Sequence, residues 1–86
     1  MTIKYSKQFR KQFSKLSSRD QDRFWERLEW FKIDRFDPRL NNHELGGKLK
    51  GLRSINIKGD LRAIYAVIND EIYLYEMIGS HSQLYG

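Results

Sequence analysis

Residues 52–78 read LRSINIKGDLRAIYAVINDEIYLYEMI, which is three strand-like runs separated by Gly-Asp at 59–60 and Asn-Asp at 69–70. Each run is rich in the β-branched and aromatic residues that favour strands. The two polar pairs are typical of tight turns between antiparallel strands. The sequence therefore predicts an antiparallel meander with strands at residues 52–58, 61–68 and 71–78.

Upstream of the meander, a short alternating stretch at residues 2–5 precedes two helical patterns. Ser6 is a suitable N-cap for a first helix, since serine side chains accept a bond from the first turn. Three apolar residues of that helix recur at the spacing of one face: Phe9, Phe13 and Leu16. A second helix is expected at residues 19–34, with Ser18 or Asp20 as its cap.

The order of these elements, one strand, two helices and three strands, indicates an α+β fold. We expect both helices to pack on one face of an antiparallel sheet, in the order β-α-α-β-β-β, with residues 1–86 forming a single domain. Trp30 and Ile33 lie off the apolar stripe of the second helix. Two explanations stay open for them: other core elements cover them, or they form a docking surface for a partner.

The chain is basic, with 16 lysines and arginines against 11 acidic residues and a net charge of +5. Such a charge attracts polyanions, although it also serves plain solubility. Three cations, Lys48, Lys50 and Arg53, lie in or beside a long connection at residues 35–52, which favours nucleic-acid contact. There is no cysteine, no apolar run long enough to span a membrane and no secretory signal. We therefore expect a cytoplasmic protein without membrane association.

The segment 79–86 places an imidazole and a phenol four positions apart, at His81 and Tyr85. Histidine titrates near neutral pH, and an aromatic ring can stack on a base. Together with the basic charge, this pair indicates a protein that acts on RNA.

Cleavage of RNA by its own 2′-OH needs a base, an acid and cations that stabilise the phosphoryl charge. The residue types are present: two histidines, His43 and His81, and Asp60 with Arg62 on what we expect to be one side of a strand. Each also has a structural explanation, such as a solvated terminal imidazole or an ion pair between Asp60 and Arg62. No spacing of metal ligands and no phosphate-binding loop is present, so we expect neither metal nor cofactor.

Five short segments together form a more specific pattern: His43-Glu44-Leu45, Lys50-Gly51-Leu52-Arg53, Asp60-Leu61-Arg62-Ala63-Ile64-Tyr65, Gly79-Ser80-His81 and Leu84-Tyr85. In this order, and with this succession of elements, the chain resembles the RelE/ParE toxin superfamily of type II bacterial toxin–antitoxin systems. It is most similar to the YafQ-like branch of that superfamily.

The resemblance implies a ribosome-dependent endoribonuclease, an mRNA interferase. Such toxins enter the ribosomal A site, cut mRNA by metal-independent attack of the 2′-OH, inhibit translation, and are silenced by a cognate antitoxin. Matched by position, the expected catalytic residues are His81, Asp60, His43, Arg62 and Tyr85. The expected RNA-binding residues are Lys48, Lys50 and Arg53.

The chain departs from the branch at two positions. Asn56 stands where YafQ-like enzymes carry a further histidine, and an amide exchanges no proton at neutral pH. Leu61 stands where an aromatic residue often follows the aspartate. Two rival functions remain open: a ParE-like toxin that inhibits DNA gyrase without cutting RNA, against which His81 and Tyr85 argue, and a degenerate toxin that only binds its antitoxin.

Overall fold

The computed structural model describes residues 1–85, so Gly86, the end of the segment 79–86, lies outside the described residues. Its elements are β1 (Thr2–Tyr5), α1 (Lys7–Ser14), α2 (Ser18–Ile33), β2 (His43–Glu44), β3 (Arg53–Lys58), β4 (Leu61–Ile68), β5 (Ile72–Ser80) and α3 (His81–Tyr85). Two 3₁₀ turns, Pro38–Leu40 and Gly47–Leu49, lie in the connection that the sequence left without structure. The α+β class is confirmed, and the three meander strands lie within about two residues of their expected bounds.

The sheet has five strands in the order β1-β5-β4-β3-β2. It is mixed, whereas an antiparallel sheet was expected, because β1 runs parallel to β5 with Ile3 opposite Tyr73. The two helices carry the chain to the far edge of the sheet, and three reversals from β2 to β5 then bring it back beside β1. Strand β2 has only two residues, which is too short to give a sequence pattern.

The core lies between the two long helices and one face of the sheet. The buried side chains of the helices are Phe9, Phe24, Leu28 and Phe31, and those of the sheet include Ile55, Ile57, Tyr65 and Tyr75. Burying one such side chain contributes about 1.5–3 kcal/mol, so this layer supplies most of the stabilisation of the helices. Among residues 1–85, no helix combines the length and apolar character needed to cross a membrane.

The helix caps agree with the sequence in one case and differ in the other. The Ser6 side chain accepts a bond from the Phe9 amide at 3.0 Å, as expected. The cap of α2 is Ser17, not Ser18 or Asp20, since Ser17 is extended and its hydroxyl accepts from the Asp20 amide at 3.2 Å. A run of two serines followed by Arg-Asp offers several caps, and only the backbone conformation selects among them.

The two off-stripe residues of α2 have different surroundings. Trp30 is partly buried, with the guanidinium carbons of Arg27 and Arg39 at 4.1 Å and 3.7 Å from its ring. Cation–π contacts of this kind fasten the Pro38–Leu40 turn to α2. Ile33 is 87% exposed. Other parts of the fold therefore cover Trp30, whereas Ile33 is a surface residue.

A bulge in β5 determines which residues of this strand face the core. Tyr65 pairs with Tyr75, whereas the preceding residue of β4 pairs with Met77, so Glu76 is an extra residue. Tyr75 and Ile78 consequently both face the core although they are three positions apart. Beyond the bulge, Gly79 lies opposite Arg62, so the strand delivers its C-terminal end to the start of β4.

Candidate functional site

The face of the sheet opposite the long helices carries a cavity of about 390 Å³. Ser54 pairs with His43 and alternates with the core residue Ile55, which places His43 on the face turned away from the helices. The cavity is lined by His43, Leu45, Gly46, Arg62, His81 and Tyr85. Of the five expected catalytic residues, all except Asp60 contribute to this lining.

Arg62 is the fixed cation of the cavity. Its Nε donates to the Ser54 hydroxyl at 2.5 Å and its Nη2 donates to the Asn41 carbonyl at 3.1 Å. Burial lowers the pKa of Arg62, and the neighbouring Tyr85 phenol opposes that shift. Because the ordinary pKa of a guanidinium lies far above neutral pH, Arg62 keeps its charge. Its two hydrogen bonds hold it in one orientation at the cavity.

His43 shares a backbone acceptor with Arg62. Its Nδ1 lies 3.1 Å from the Asn41 carbonyl. The same Nδ1 lies 3.4 Å from Arg62 Nη2, which can only donate, so this nitrogen stands between an acceptor and a donor. Asn41 adopts a left-handed conformation with φ 46°, which asparagine tolerates better than most residues. The bond to a backbone carbonyl thus orients an imidazole that also lines the cavity.

The short helix α3 brings His81 and Tyr85 together. Residues four apart lie on one side of a helix, and the two ring centroids are 4.6 Å apart with an interplanar angle of 56°. Both side chains are exposed, so a ligand in the cavity can reach them. The pair forms the wall that faces His43 and Arg62.

Asp60 supports this wall from outside the cavity. It lies in the turn before β4, so the expectation that it belongs to the same strand as Arg62 is wrong. Its Oδ1 accepts from the His81 backbone amide at 3.2 Å. The carboxylate therefore holds the start of α3 by its backbone, as an N-terminal cap does.

The expected RNA-binding residues do not all reach this site. Arg53 pairs with the core residue Tyr65 and so lies on the helix side of the sheet. There its Nε donates to the Asn42 side chain at 2.8 Å and its guanidinium lies 5.2 Å from the Phe36 ring. Lys50 is exposed and outside the cavity, while Lys48 lines an adjoining hollow. The alternation of β3, in which Arg53 and Ile55 share a face, is the signal that separates Arg53 from the site.

Two contributors were missed from sequence: Ser54 and the Asn41 carbonyl. Ser54 is fully buried, and its only sequence signal is that it is a polar residue in a strand whose alternate positions are apolar. Asn56, at the position of the family histidine, donates to the Gly59 carbonyl at 2.9 Å and stabilises the β3–β4 turn. Within residues 1–85, no group of three or more His, Cys, Asp or Glu residues is arranged to hold a metal ion.

Comparison with known proteins supplies the family. The model of the family described as "Bacterial toxin of type II toxin-antitoxin system, YafQ" matches residues 1–86. The chain belongs to the YafQ toxin family. No curated protein matches it.

Solved structures similar to this YafQ-family chain include YafQ from E. coli strain BL21(DE3), at 26% identity and a TM-score of 0.81, covering 98% of this chain and 97% of that one. The E. coli DinJ–YafQ toxin–antitoxin complex is similar at 27% identity and a TM-score of 0.77, covering 98% and 96% of the two chains. A YoeB/ParE toxin from Agrobacterium tumefaciens, at 15% identity, has a TM-score of 0.78 and covers 94% and 99%. The last likeness concerns the fold alone.

Proposed function

We propose that this YafQ-family toxin is an endoribonuclease that cleaves mRNA in the ribosomal A site and thereby inhibits translation. The observation that carries the proposal is the convergence of His43, Arg62, His81 and Tyr85 on one open cavity. These residues come from β2, β4 and α3, so three separate parts of the chain build the same site.

The cavity contains the groups that 2′-OH attack requires. One imidazole removes the proton from the 2′-OH, which attacks the adjacent phosphorus, and the bond from phosphorus to the 5′-oxygen breaks. The other imidazole donates a proton to that leaving oxygen. The products are a 2′,3′-cyclic phosphate and a 5′-hydroxyl. His43 and His81 supply the two proton-transfer groups.

Arg62 stabilises the charge that gathers on the phosphoryl oxygens. Its bonds to Ser54 and to the Asn41 carbonyl hold it in place before the reaction, so no reorganisation is needed as charge develops. Tyr85 offers a ring on which a base of the message stacks. Asp60 acts as a positioning residue through the His81 backbone.

The partners proposed for this chain are the ribosome, its mRNA and a cognate antitoxin, and its place of action is the cytoplasm. The net charge of +5 favours contact with ribosomal RNA. E. coli YafQ forms a complex with DinJ, which supports an antitoxin partner for this relative. The exposed side chain of Ile33 is a candidate contact for that partner.

Primer extension on mRNA from cells expressing the chain tests the proposal. The wild type and Gln8→Ala, a change on the exposed side of α1, should produce new 5′ ends within coding regions. His43→Ala and His81→Ala should produce none. Retention of the cuts in His81→Ala would contradict the assignment. Inhibition of supercoiling with intact mRNA would indicate a gyrase inhibitor instead, and unimpaired growth would indicate a protein that only binds antitoxin.

A further inference from the structure

A second hollow, of about 290 Å³, adjoins the catalytic cavity. It is lined by Gly46, Lys48, Leu49, Leu84 and Tyr85. Gly46 and Tyr85 line both hollows, so the two share an edge. A polymer that occupies the first cavity can therefore continue directly into the second.

The lining of this second hollow is different in chemistry from that of the first. Leu49 and Leu84 are partly buried and give it apolar walls, and the Tyr85 ring, 36% exposed, stands at the shared edge. Lys48 is exposed at the rim. The lining of the second hollow includes neither of the two histidines nor Arg62, so this hollow can bind a group but has no residue for proton transfer.

These features match one nucleotide of a single strand. A base has flat faces that pack on apolar and aromatic side chains, and its phosphate carries the charge that a lysine attracts. We propose that the second hollow binds the nucleobase next to the scissile phosphodiester, with Lys48 contacting the phosphate of that nucleotide. The proposal rests on the proposed function and adds to it a site that selects the sequence around the cut.

The position of Tyr85 explains how the two hollows would divide the message. With the reacting ribose and phosphate between His43 and His81, the ring separates that nucleotide from its neighbour. Stacking tolerates every base, while the size of the apolar hollow sets a graded preference at the flanking position. Lys4, exposed on β1, lines neither hollow and serves as a matched reference for Lys48.

A cycle between protein and substrate variants tests the contact. Cleavage of defined A-site messages by the purified chain is measured with an intact base and with an abasic ribose at each position beside the cut. At the occupied position, the abasic message should lower kcat/KM of the wild type about tenfold, the size of one stacked base. Leu49→Gln should cause a similar loss and make the abasic change nearly silent, because both remove the same contact. If the losses in kcat/KM from Leu49→Gln and from the abasic message simply multiply at every position, the proposal is overturned.

Two controls make the result specific. Ile68→Gln makes the same kind of change at an exposed position on β4 outside both hollows, and it should behave as the wild type. Lys48→Gln should reduce the slope of log affinity against log salt by about 0.7, as expected for one lost single-strand phosphate contact, while Lys4→Gln leaves it unchanged. Equal slopes for the two variants would refute the role of Lys48.

Failure of cleavage would be separate from failure of this site. If the wild type cuts no message, the proposed function is wrong, and the same cycle is run on binding affinity with a message that carries a 2′-deoxy sugar at the cut. A non-additive pair in that experiment supports the nucleobase site. An additive pair overturns it.

Discussion

Replacing Ser54 with alanine isolates the hydrogen bond that orients the cation of the site. Ser54 is fully buried, and its hydroxyl accepts from Arg62 Nε at 2.5 Å. A bond to a charged group contributes about 1.5–3 kcal/mol. After the substitution, Nη2 keeps the Asn41 carbonyl at 3.1 Å, so the guanidinium is held by that end and can rotate.

The expected loss appears in both stability and rate. The free energy of unfolding should fall by about 1.5–3 kcal/mol. The kcat for mRNA cleavage should fall about 10–100-fold, because in the proposed mechanism the interaction of Arg62 with the phosphoryl group strengthens in the transition state. KM should change little, since the charge of Arg62 is retained and ground-state binding loses only orientation.

Urea unfolding and single-turnover cleavage on purified ribosomes measure the two quantities. Ser14→Ala is the matched control, because Ser14 is exposed on α1 and its hydroxyl donates to the neighbouring Lys11 carbonyl at 2.7 Å. It should leave both quantities near those of the wild type. A Ser54→Ala protein that loses stability but cleaves at the wild-type rate would refute the claim that this bond positions Arg62 for catalysis.

Three further substitutions probe the elements that surround the site. Asp60→Ala removes the acceptor of the His81 amide, so stability should fall by about 1 kcal/mol and cleavage should slow, with the pH–rate profile unmoved because no titrating group of the reaction is lost. Tyr75→Phe removes a buried hydroxyl that has no hydrogen-bond partner within residues 1–85, so urea unfolding at neutral pH should show a gain of about 1–3 kcal/mol. Burial raises the pKa of Tyr75 well above its ordinary value, so the wild type should lose stability above about pH 10, where the unfolded chain ionises first, and the variant should lose less. Gly79→Ala places a Cβ 2.9 Å from the Gln83 side chain, which accepts from the Ser80 amide. Cleavage should slow, and unfolding experiments should show a stability loss of about 1 kcal/mol. Gln83→Ala should reproduce both effects if the loss of that bond is the cause.

The sequence was most informative where local chemistry alone selects the structure. The Asn-Asp pair at 69–70 adopts positive φ at both positions, as a tight turn of two antiparallel strands requires, and the flanking runs form β4 and β5. Ser6 caps α1 by the same local logic. These features depend on contacts within a few residues, which a linear pattern contains.

The features that escaped prediction depend on partners distant in the chain. The parallel pairing of β1 with β5 joins opposite ends of the described chain. The bulge at Glu76 can be recognised only when the pairing of Tyr75 with Tyr65 is known. Each requires knowledge of register. A one-residue change of register exchanges the two faces of a strand, so no pattern within β5 alone assigns them.

The candidate site divides in the same way. The set His43, Arg62, His81 and Tyr85 was indicated by resemblance to a family, since each residue taken singly has an ordinary structural explanation. The structure adds Ser54 on β3, which matters because Arg62 lies on the neighbouring strand β4 and donates to its hydroxyl. It also places Arg53 on the helix side of the sheet, away from the cavity, as the alternation of β3 requires.

The place of β5 also bears on how the molecule is completed during synthesis. Among the described strands it comes furthest along the chain, yet it lies between β1 and β4, and Ser6 donates to the Glu76 carbonyl across 70 positions of sequence. Contacts so distant form slowly, and a chain on the ribosome emerges from its N-terminus. Until residues 72–80 have been made, β1 has no partner in the sheet and β4 lacks a neighbour. Since His81 and Tyr85 follow β5 directly, the cavity lacks these two side chains until the strand that completes the sheet has also been made.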